Sequence, residues 1–352
     1  MAETLAVPML SVDERRRTAD RVFWGACAFN ALLTLFWLFL VATQGQTQFF
    51  GTYRVDGRAL GELIGFVIVF YIVFGFVWYG IKAVLLHSFV GFTWAEVTQA
   101  FSSRMAVPFD LTDLLSRYSE RRIRITDMIG RRGRFMLMGL PAFFAFYLRT
   151  VREPPASVPA LFLKDNLFVA VALGWIFLAF YYLNGPLAAA FYGAQSRVMD
   201  GTLARANCML ITVLWTAFNF VMLPIGGQLS RLYPPDQFGA VFALIWGSYM
   251  IGDTASEVVG SLIGKQRIKV LGIGDVNRKS LAGTFAGFAF CLAFCLWVVR
   301  SNHLPPTWIG LAVAISVVNT LVELFSPRGT DDFTMATGNA LICWAFGALV
   351  LA

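Results

Sequence analysis

The chain has 352 residues, of which 58% are hydrophobic and only 14% are charged, and its mean hydropathy is +0.67. A water-soluble domain is about one quarter charged, so this composition excludes an ordinary soluble protein and indicates a polytopic membrane protein. The formal net charge of +7 requires no nucleic-acid partner, because basic residues beside a membrane attract anionic lipid head groups.

Nine stretches are apolar and long enough, or nearly so, to cross a hydrocarbon core about 30 Å thick. They are residues 22–43, 61–81, 135–148, 166–192, 207–225, 237–263, 281–299, 307–326 and 335–352. The sequence therefore predicts an all-α helical bundle with about nine transmembrane helices. The third stretch is the weakest, because it is short and contains Pro141, and a re-entrant or interfacial helix is the alternative there.

The distribution of basic residues predicts the orientation of the bundle. Lys and Arg residues in short loops favour the cytoplasmic side of a membrane. With nine spans and a cytoplasmic amino terminus, about three quarters of the 28 Lys and Arg residues fall on that side. We therefore predict that the amino terminus and the polar motifs described below face the cytoplasm.

Residues 82–134 form the only long polar interval between predicted spans. Its apolar residues at helical spacing are Leu111, Leu114, Leu115 and Tyr118. This spacing predicts an amphipathic helix with a basic opposite face, capped by Asp110 or Thr112. The helix could lie on the inner membrane surface or pack on the rest of the protein. The interval separates an amino-terminal region of two transmembrane helices, residues 1–134, from a predicted seven-helix catalytic core, residues 135–352.

The sixth predicted span contains two carboxylates, Asp253 and Glu257, which are four residues apart and so share one helix face. A carboxylate at the centre of an inserted helix costs about 2.5–3.5 kcal/mol, so this pair predicts a functional site that could bind a divalent cation. Small residues form a neighbouring stripe at the same spacing: Gly252, Ser256, Gly260 and Gly264. Such a stripe lets a second helix approach closely.

The loop after this span and the start of the next helix predict a phosphate-binding site. Lys265 and Lys279 bring positive charge, and Ser280 stands where the seventh helix begins, so it can act as the N-cap. Free backbone N–H groups and the helix dipole favour an anion at that position. Gly283 would let a phosphate approach the backbone, and Thr284 would add a hydroxyl group.

A second polar group lies at the end of the eighth predicted span. Ser316, Asn319 and Glu323 recur at helical spacing, and the following loop carries Asp331 and Asp332, for which an ordinary solvated turn is the alternative. The carboxylates predicted to lie at one membrane level are Asp253, Glu257, Glu323, Asp331 and Asp332. Such a set could hold one or two Mg²⁺ ions on nucleotide phosphates.

Several short motifs together carry a family resemblance. They are Gly252-Asp253 with Ala255 and Gly260, Gly264-Lys265, Lys279-Ser280-x-x-Gly283-Thr284, and Thr320-Leu-Val-Glu323 followed by Asp331-Asp332. In order and spacing the sequence resembles the membrane CTP-dependent lipid kinases, which include dolichol kinase, phytol kinase and yeast-type diacylglycerol kinase and are related to CDP-diacylglycerol synthase. The resemblance implies an enzyme that transfers the γ-phosphate of CTP to a lipid alcohol with Mg²⁺.

The resemblance also implies roles for the residues in these motifs. The implied catalytic residues are Asp253, Glu257, Glu323 and Asp332. The implied metal ligands are Asp253, Glu257, Asp331 and Asp332. The implied nucleotide-binding residues are Lys265, Lys279, Ser280, Gly283 and Thr284. The implied partners are a nucleotide, a lipid alcohol and membrane lipids, and the small-residue stripes would tolerate a homodimer contact.

The sequence departs from the family pattern at two places. Many members carry an Arg-Lys-x-x-His stretch before the core, whereas this chain has Arg131-Arg132-Gly-Arg134 without a histidine. After the acidic loop, Phe333-Thr-Met-Ala336 replaces the Asn and Val-Pro of the family. We therefore predict catalysis by positioning and charge neutralisation, without a histidine as general base.

Two other functions are compatible with the sequence. One is a phosphatidate cytidylyltransferase, which makes a CDP-lipid from CTP, although its Pro-Gly-His-Gly-Gly stretch does not occur here. The other is a membrane transporter or non-enzymatic partner protein, because transporters contain broken helices. Gly185-Pro186 and Pro224 do interrupt predicted spans, but they lie near predicted helix ends, where they are more typical of loops.

Overall fold

The computed structural model describes residues 11–43, 57–102, 111–155, 166–270, 277–327 and 329–351. The α-helices, numbered in chain order, are α1 (Val12–Thr43), α2 (Gly57–Gly65), α3 (Phe74–Leu85), α4 (Trp94–Ser102), α5 (Leu111–Arg117), α6 (Glu120–Arg134), α7 (Leu140–Arg152), α8 (Asn166–Phe180), α9 (Pro186–Gly193), α10 (Ala204–Leu232), α11 (Phe238–Phe242), α12 (Ser248–Ile263), α13 (Leu281–Ser301), α14 (Thr307–Phe325) and α15 (Asp331–Phe346). The predicted all-α membrane fold is confirmed.

Short segments of other helical geometry join or extend several of these helices. The π-helical segments are Phe66–Val73 between α2 and α3, Leu86–Val90 after α3, Phe135–Gly139 between α6 and α7, Ala243–Gly247 between α11 and α12, and Gly347–Leu351 after α15. The 3₁₀ segments are Val198–Leu203 before α10 and Pro235–Gln237 before α11. As a result, α2 with α3, α6 with α7, and α11 with α12 each form one nearly continuous helical rod.

Six helices of the described residues are long and apolar enough to cross a membrane. They are Asp13–Thr43, Leu63–Val90, Ala204–Leu232, Leu281–Ser301, Thr307–Phe325 and Asp331–Leu351. Large apolar side chains on these helices face outward, as lipid contact requires; Phe285 and Leu349 are 76% and 83% exposed. The other predicted spans coincide with α8, with the rod of α6 and α7, and with the rod of α11 and α12. The number nine and the cytoplasmic amino terminus stay predictions.

Two helix boundaries differ from those predicted. The predicted span 166–192 is broken, because Gly185 has a φ of 92° and Pro186 then begins α9. Proline is favourable at this first position, because the N–H that it lacks would not form a hydrogen bond within the helix. In contrast, Pro224 lies inside α10, which continues to Leu232. The prediction that Pro224 marks a helix end was therefore wrong.

The predicted loop between the sixth and seventh spans contains an antiparallel hairpin. Its strands are β1 (Arg267–Val270) and β2 (Asn277–Ser280), with Arg267 opposite Ser280. The alternation of charged and aliphatic residues in β1 has the two-residue period of a strand, a signal that the prediction of a loop did not use. The hairpin ends where α13 begins and so fixes Lys279 and Ser280 at the amino end of that helix.

The polar interval before the core packs on the rest of the protein, which was one of its two predicted arrangements. Leu114 of α5 and Ile123 of α6 are completely buried in a cluster that includes Leu86 and Phe92. Asp110, one of the two predicted caps, lies outside the described residues. The predicted division after residue 134 falls where α6 continues into the next π-helical segment, so the domain division stays a prediction.

Candidate functional site

The stripe of small residues on α12 packs against α13, as the spacing predicted. A β-carbon at Gly283 would lie 2.6 Å from the carbonyl oxygen of Ser256 and 3.1 Å from Gly260 Cα. At Gly287, it would lie 3.1 Å from the carbonyl oxygen of Gly252. Only glycine permits this approach of two backbones. The β-carbon side of Gly283 is therefore filled by α12, and the predicted approach of a phosphate to its backbone stays a prediction.

The start of α13 accounts for the other residues predicted to bind phosphate. Ser280 is the N-cap, as predicted, and its hydroxyl oxygen accepts a 3.1 Å hydrogen bond from the N–H of Gly283. The hydroxyl oxygen of Thr284 is buried and has no hydrogen-bond partner among the described residues, so a ligand could satisfy it. Lys265 is exposed beside the hairpin. Its predicted phosphate contact stays a prediction.

Lys279 and Glu323 join the two polar groups that lie far apart in the sequence. Glu323, on α14, is 4% exposed, and its Oε1 accepts a 2.8 Å hydrogen bond from the Ser256 hydroxyl of α12. Lys279 Nζ lies 3.2 Å from the same oxygen and also donates to the Glu323 carbonyl oxygen. The carboxylate of α14 therefore lies beside the helix that carries Asp253 and Glu257.

Three arginines bind the carboxylates of α12, and none of them was a predicted site residue. Arg132 donates through Nη2 to Asp253 and through Nε to Glu257. Arg131 Nη1 lies 2.5 Å from Glu257 Oε1, and Arg197 Nη2 lies 3.1 Å from the same oxygen. These side chains are 10–26% exposed, so the ion pairs are largely shielded from water. We call Arg131, Arg132 and Arg197 the arginine triad.

The two acids at the start of α15 belong to the same cluster. Asp332 interacts electrostatically with Asp253 and with Arg131 and Arg132. Asp331 interacts with Arg197. Both aspartates are partly buried, which disfavours the alternative of an ordinary solvated turn.

A buried ion pair holds the segment that carries Arg197. Lys82 of α3 is completely buried, and its Nζ lies 2.8 Å from Asp127 Oδ1 on α6. Lys82 also donates to the carbonyl oxygen of Ser196, and Asp127 accepts the N–H of Val198 at 2.9 Å. The pair therefore binds the backbone on both sides of Arg197. The pair could not be predicted from the sequence, because Lys82 lies at the edge of a predicted loop.

Below the charged cluster, buried amides connect three helices. Asn339 of α15 donates to Asn319 of α14 at 3.1 Å and to Ser248 of α12 at 2.9 Å. Asn319 and Asn339 are at most 2% exposed. The predicted polar stripe on α14 therefore continues into α15. Asn339 was missed, although a lone amide within an apolar span is a usable signal.

The carboxylates fit Mg²⁺ unequally. Within the described ranges, no three His, Cys, Asp or Glu side chains are grouped closely enough to hold an ion alone. Mg²⁺ usually takes one or two carboxylates and completes its octahedron with water and substrate phosphates. Both oxygens of Glu257 are engaged by arginines, whereas Asp253 is bound through one oxygen only. Asp253 therefore fits the ion better than Glu257 does.

Comparison with known proteins gives one partial similarity. The chain is 28% identical to a phytol kinase from Synechocystis sp. over 125 residues, which are 35% of this chain and 49% of the relative. The match thus spans about half the length of that curated relative. No family model matches the chain, and no solved structure matches it. The similarity supports a relationship with a lipid kinase over this part of the chain.

Proposed function

We propose that this protein is a membrane enzyme that transfers the γ-phosphate of CTP to the hydroxyl group of a lipid alcohol with Mg²⁺, on the cytoplasmic side of the membrane. The observation that carries the proposal is the convergence of buried carboxylates with arginine and lysine side chains at one end of the apolar helices. Carboxylates of this kind can hold a phosphate-bound cation, and the basic groups can hold the phosphates. The partial similarity to a phytol kinase supports a lipid alcohol as acceptor.

Phosphoryl transfer is catalysed mainly by positioning and by stabilising charge on the transferred group. Asp253 and Asp332 would hold Mg²⁺, which supplies positive charge to the phosphate oxygens. Lys279, beside Glu323, lies at the amino end of α13, where the helix dipole also favours an anion. Glu323 would accept a hydrogen bond from the acceptor hydroxyl and orient it toward the phosphate.

The membrane surface beside this cluster suits a lipid acceptor. Phe325, two residues after Glu323, is 66% exposed, and Phe285, one turn after the start of α13, is 76% exposed. Apolar side chains that face outward next to buried carboxylates let an acyl or prenyl chain stay in the bilayer while its hydroxyl reaches the site. Polyprenol, dolichol, phytol and diacylglycerol are the acceptors to compare.

The test uses purified protein in nanodiscs with each alcohol and with CTP labelled at either the γ- or the α-phosphate. We expect only the γ-label to enter lipid, and we expect Asp253→Asn to abolish that transfer without changing elution or melting. Asp236→Asn, at an exposed acid before α11, is the matched control and should keep full activity. Entry of the α-label would instead establish cytidylyl transfer. Failure of both labels with folded protein would refute both enzymatic functions.

A further inference from the structure

The arginine triad has more hydrogen-bond donors than its carboxylate partners use. Each guanidinium has five N–H groups in a planar fork. Arg131 and Arg197 each contact Glu257 through a single Nη atom at 2.5 Å and 3.1 Å. The three side chains are 13–26% exposed, and none of their nitrogen atoms is among the buried polar atoms without a partner, so their remaining donors lie where a ligand can reach them. A group with several anionic oxygens would satisfy them.

We propose that the arginine triad binds the phosphate oxygens of the nucleotide, and that Glu257 is a positioning residue that holds the three guanidiniums together. This inference rests on the proposed function, since it assigns the phosphate subsite of that reaction. Arginine suits the task because its fork binds two phosphate oxygens at once. Glu257, with both oxygens occupied by arginine, is then a fixed counter-ion rather than a metal ligand.

The buried ion pair of Lys82 and Asp127 preorganises two residues of the arginine triad, Arg131 and Arg197. Because Lys82 binds the Ser196 carbonyl and Asp127 binds the Val198 N–H, the backbone on either side of Arg197 is fixed. Asp127 also lies four residues before Arg131 on α6, so both face the same side of that helix. One ion pair therefore positions both Arg131 and Arg197, which lowers the conformational entropy lost when a phosphate binds.

The first test measures the equilibrium binding of CTP, CDP and CMP with Mg²⁺ to the full-length protein in nanodiscs, without a lipid acceptor. We expect Arg131→Gln and Arg197→Gln to weaken CTP binding by about ten- to a hundredfold and to affect CMP much less. The matched control is Arg122→Gln, because Arg122 is on the same helix but donates to the Phe89 carbonyl. Arg197→Lys keeps the charge without the fork, so it should fall between wild type and Arg197→Gln.

The second test separates positioning from metal binding. We expect Asp253→Asn to raise the Mg²⁺ concentration needed for half-maximal CTP binding, and Glu257→Gln to leave it unchanged. A raised Mg²⁺ requirement in Glu257→Gln would overturn its assignment as a positioning residue. Monodisperse elution and a melting transition establish that each variant is folded, and Arg197→Lys replaces Arg197→Gln if the glutamine variant does not fold.

The outcomes distinguish this inference from the proposed function. Arginine-dependent CTP binding without labelling of any alcohol would keep the phosphate subsite and refute the kinase. Labelling of an alcohol with an unchanged CTP affinity in both arginine variants would keep the kinase and overturn the subsite. A third arm uses vesicles that contain phosphatidate. If the variants lose binding to these vesicles while CTP binding is unaffected, the triad recognises a lipid phosphate and the inference is wrong.

Discussion

Replacing Lys82 with methionine keeps the volume of the side chain but leaves Asp127 as a buried carboxylate without its cation. The pair is 2.8 Å apart, and the two side chains are 0% and 4% exposed. Removing one partner of such a pair costs about 3–5 kcal/mol, because the remaining charge stays out of water. The lost hydrogen bond to the Ser196 carbonyl acts in the same direction. We therefore expect Lys82→Met to be severely destabilised.

The double variant Lys82→Met/Asp127→Asn tests the cause of this loss. Asparagine has no charge, but its amide oxygen can still accept the Val198 N–H, which Asp127 now accepts at 2.9 Å. The double variant should therefore be more stable than Lys82→Met by at least about 1 kcal/mol, although it contains one more substitution. Detergent-induced unfolding, followed by tryptophan fluorescence, measures the difference in the free energy of unfolding.

Two results would contradict this reasoning. A loss below about 1 kcal/mol in Lys82→Met would mean that water or a local shift satisfies Asp127 without the lysine. Equal instability of the single and double variants would mean that the bonds to backbone, rather than the charge pair, stabilise the fold. Lys265→Met is the control, because Lys265 is exposed and its loss should change the free energy of unfolding by less than about 0.5 kcal/mol.

Three further predictions use other parts of the chain. Gly283→Ala should destabilise the fold by about 1–3 kcal/mol in the same unfolding assay, because its β-carbon would lie 2.6 Å from a backbone oxygen of α12; Gly310→Ala, with no neighbouring atom within 4 Å, should not. Burial raises the pKa of Glu96, but hydrogen bonds from the Thr93 N–H and the Tyr118 hydroxyl outweigh it and lower the pKa to about 2. The folded pKa lies below the unfolded one, so the stability lost in Glu96→Gln should be complete above pH about 4.5 and disappear as the pH falls toward 2; equal losses at pH 7 and pH 2 would contradict this. Chelation of Mg²⁺ with EDTA should abolish label transfer and its restoration should recover it, and transfer that persists in EDTA would refute the metal requirement.

Features that depend on local spacing could be predicted from the sequence. The shared face of Asp253 and Glu257, the small-residue stripe and the N-cap at Ser280 all follow from residues within one or two helical turns. The structure contains each of them. The position of Glu323 beside this helix could be predicted less directly, because Glu323, Asp253 and Glu257 were all expected at the same membrane level.

The partners of these residues could not be predicted, because they are set by tertiary contacts. Arg131 and Arg132 precede Glu257 by more than 120 residues, and Arg197 lies in an extended conformation just before the 3₁₀ segment Val198–Leu203. Charge bias assigned all three to the cytoplasmic rim, where a basic residue usually needs no specific partner. Lys82 was misjudged for the same reason, since topology alone does not distinguish a rim lysine from a buried one.

The carboxylates and the basic side chains of the cluster nearly balance in charge. The cluster gathers the carboxylates of Asp253, Glu257, Glu323, Asp331 and Asp332 with the cations Arg131, Arg132, Arg197 and Lys279. Because these charges nearly cancel, the helices can pack around them without a ligand. If the proposed function holds, a triphosphate would add several negative charges to a site that already has one carboxylate in excess, so it would bind well only together with a cation. The buried acids would then make nucleotide binding depend on the metal, while the arginines neutralise those acids in the absence of the ligand.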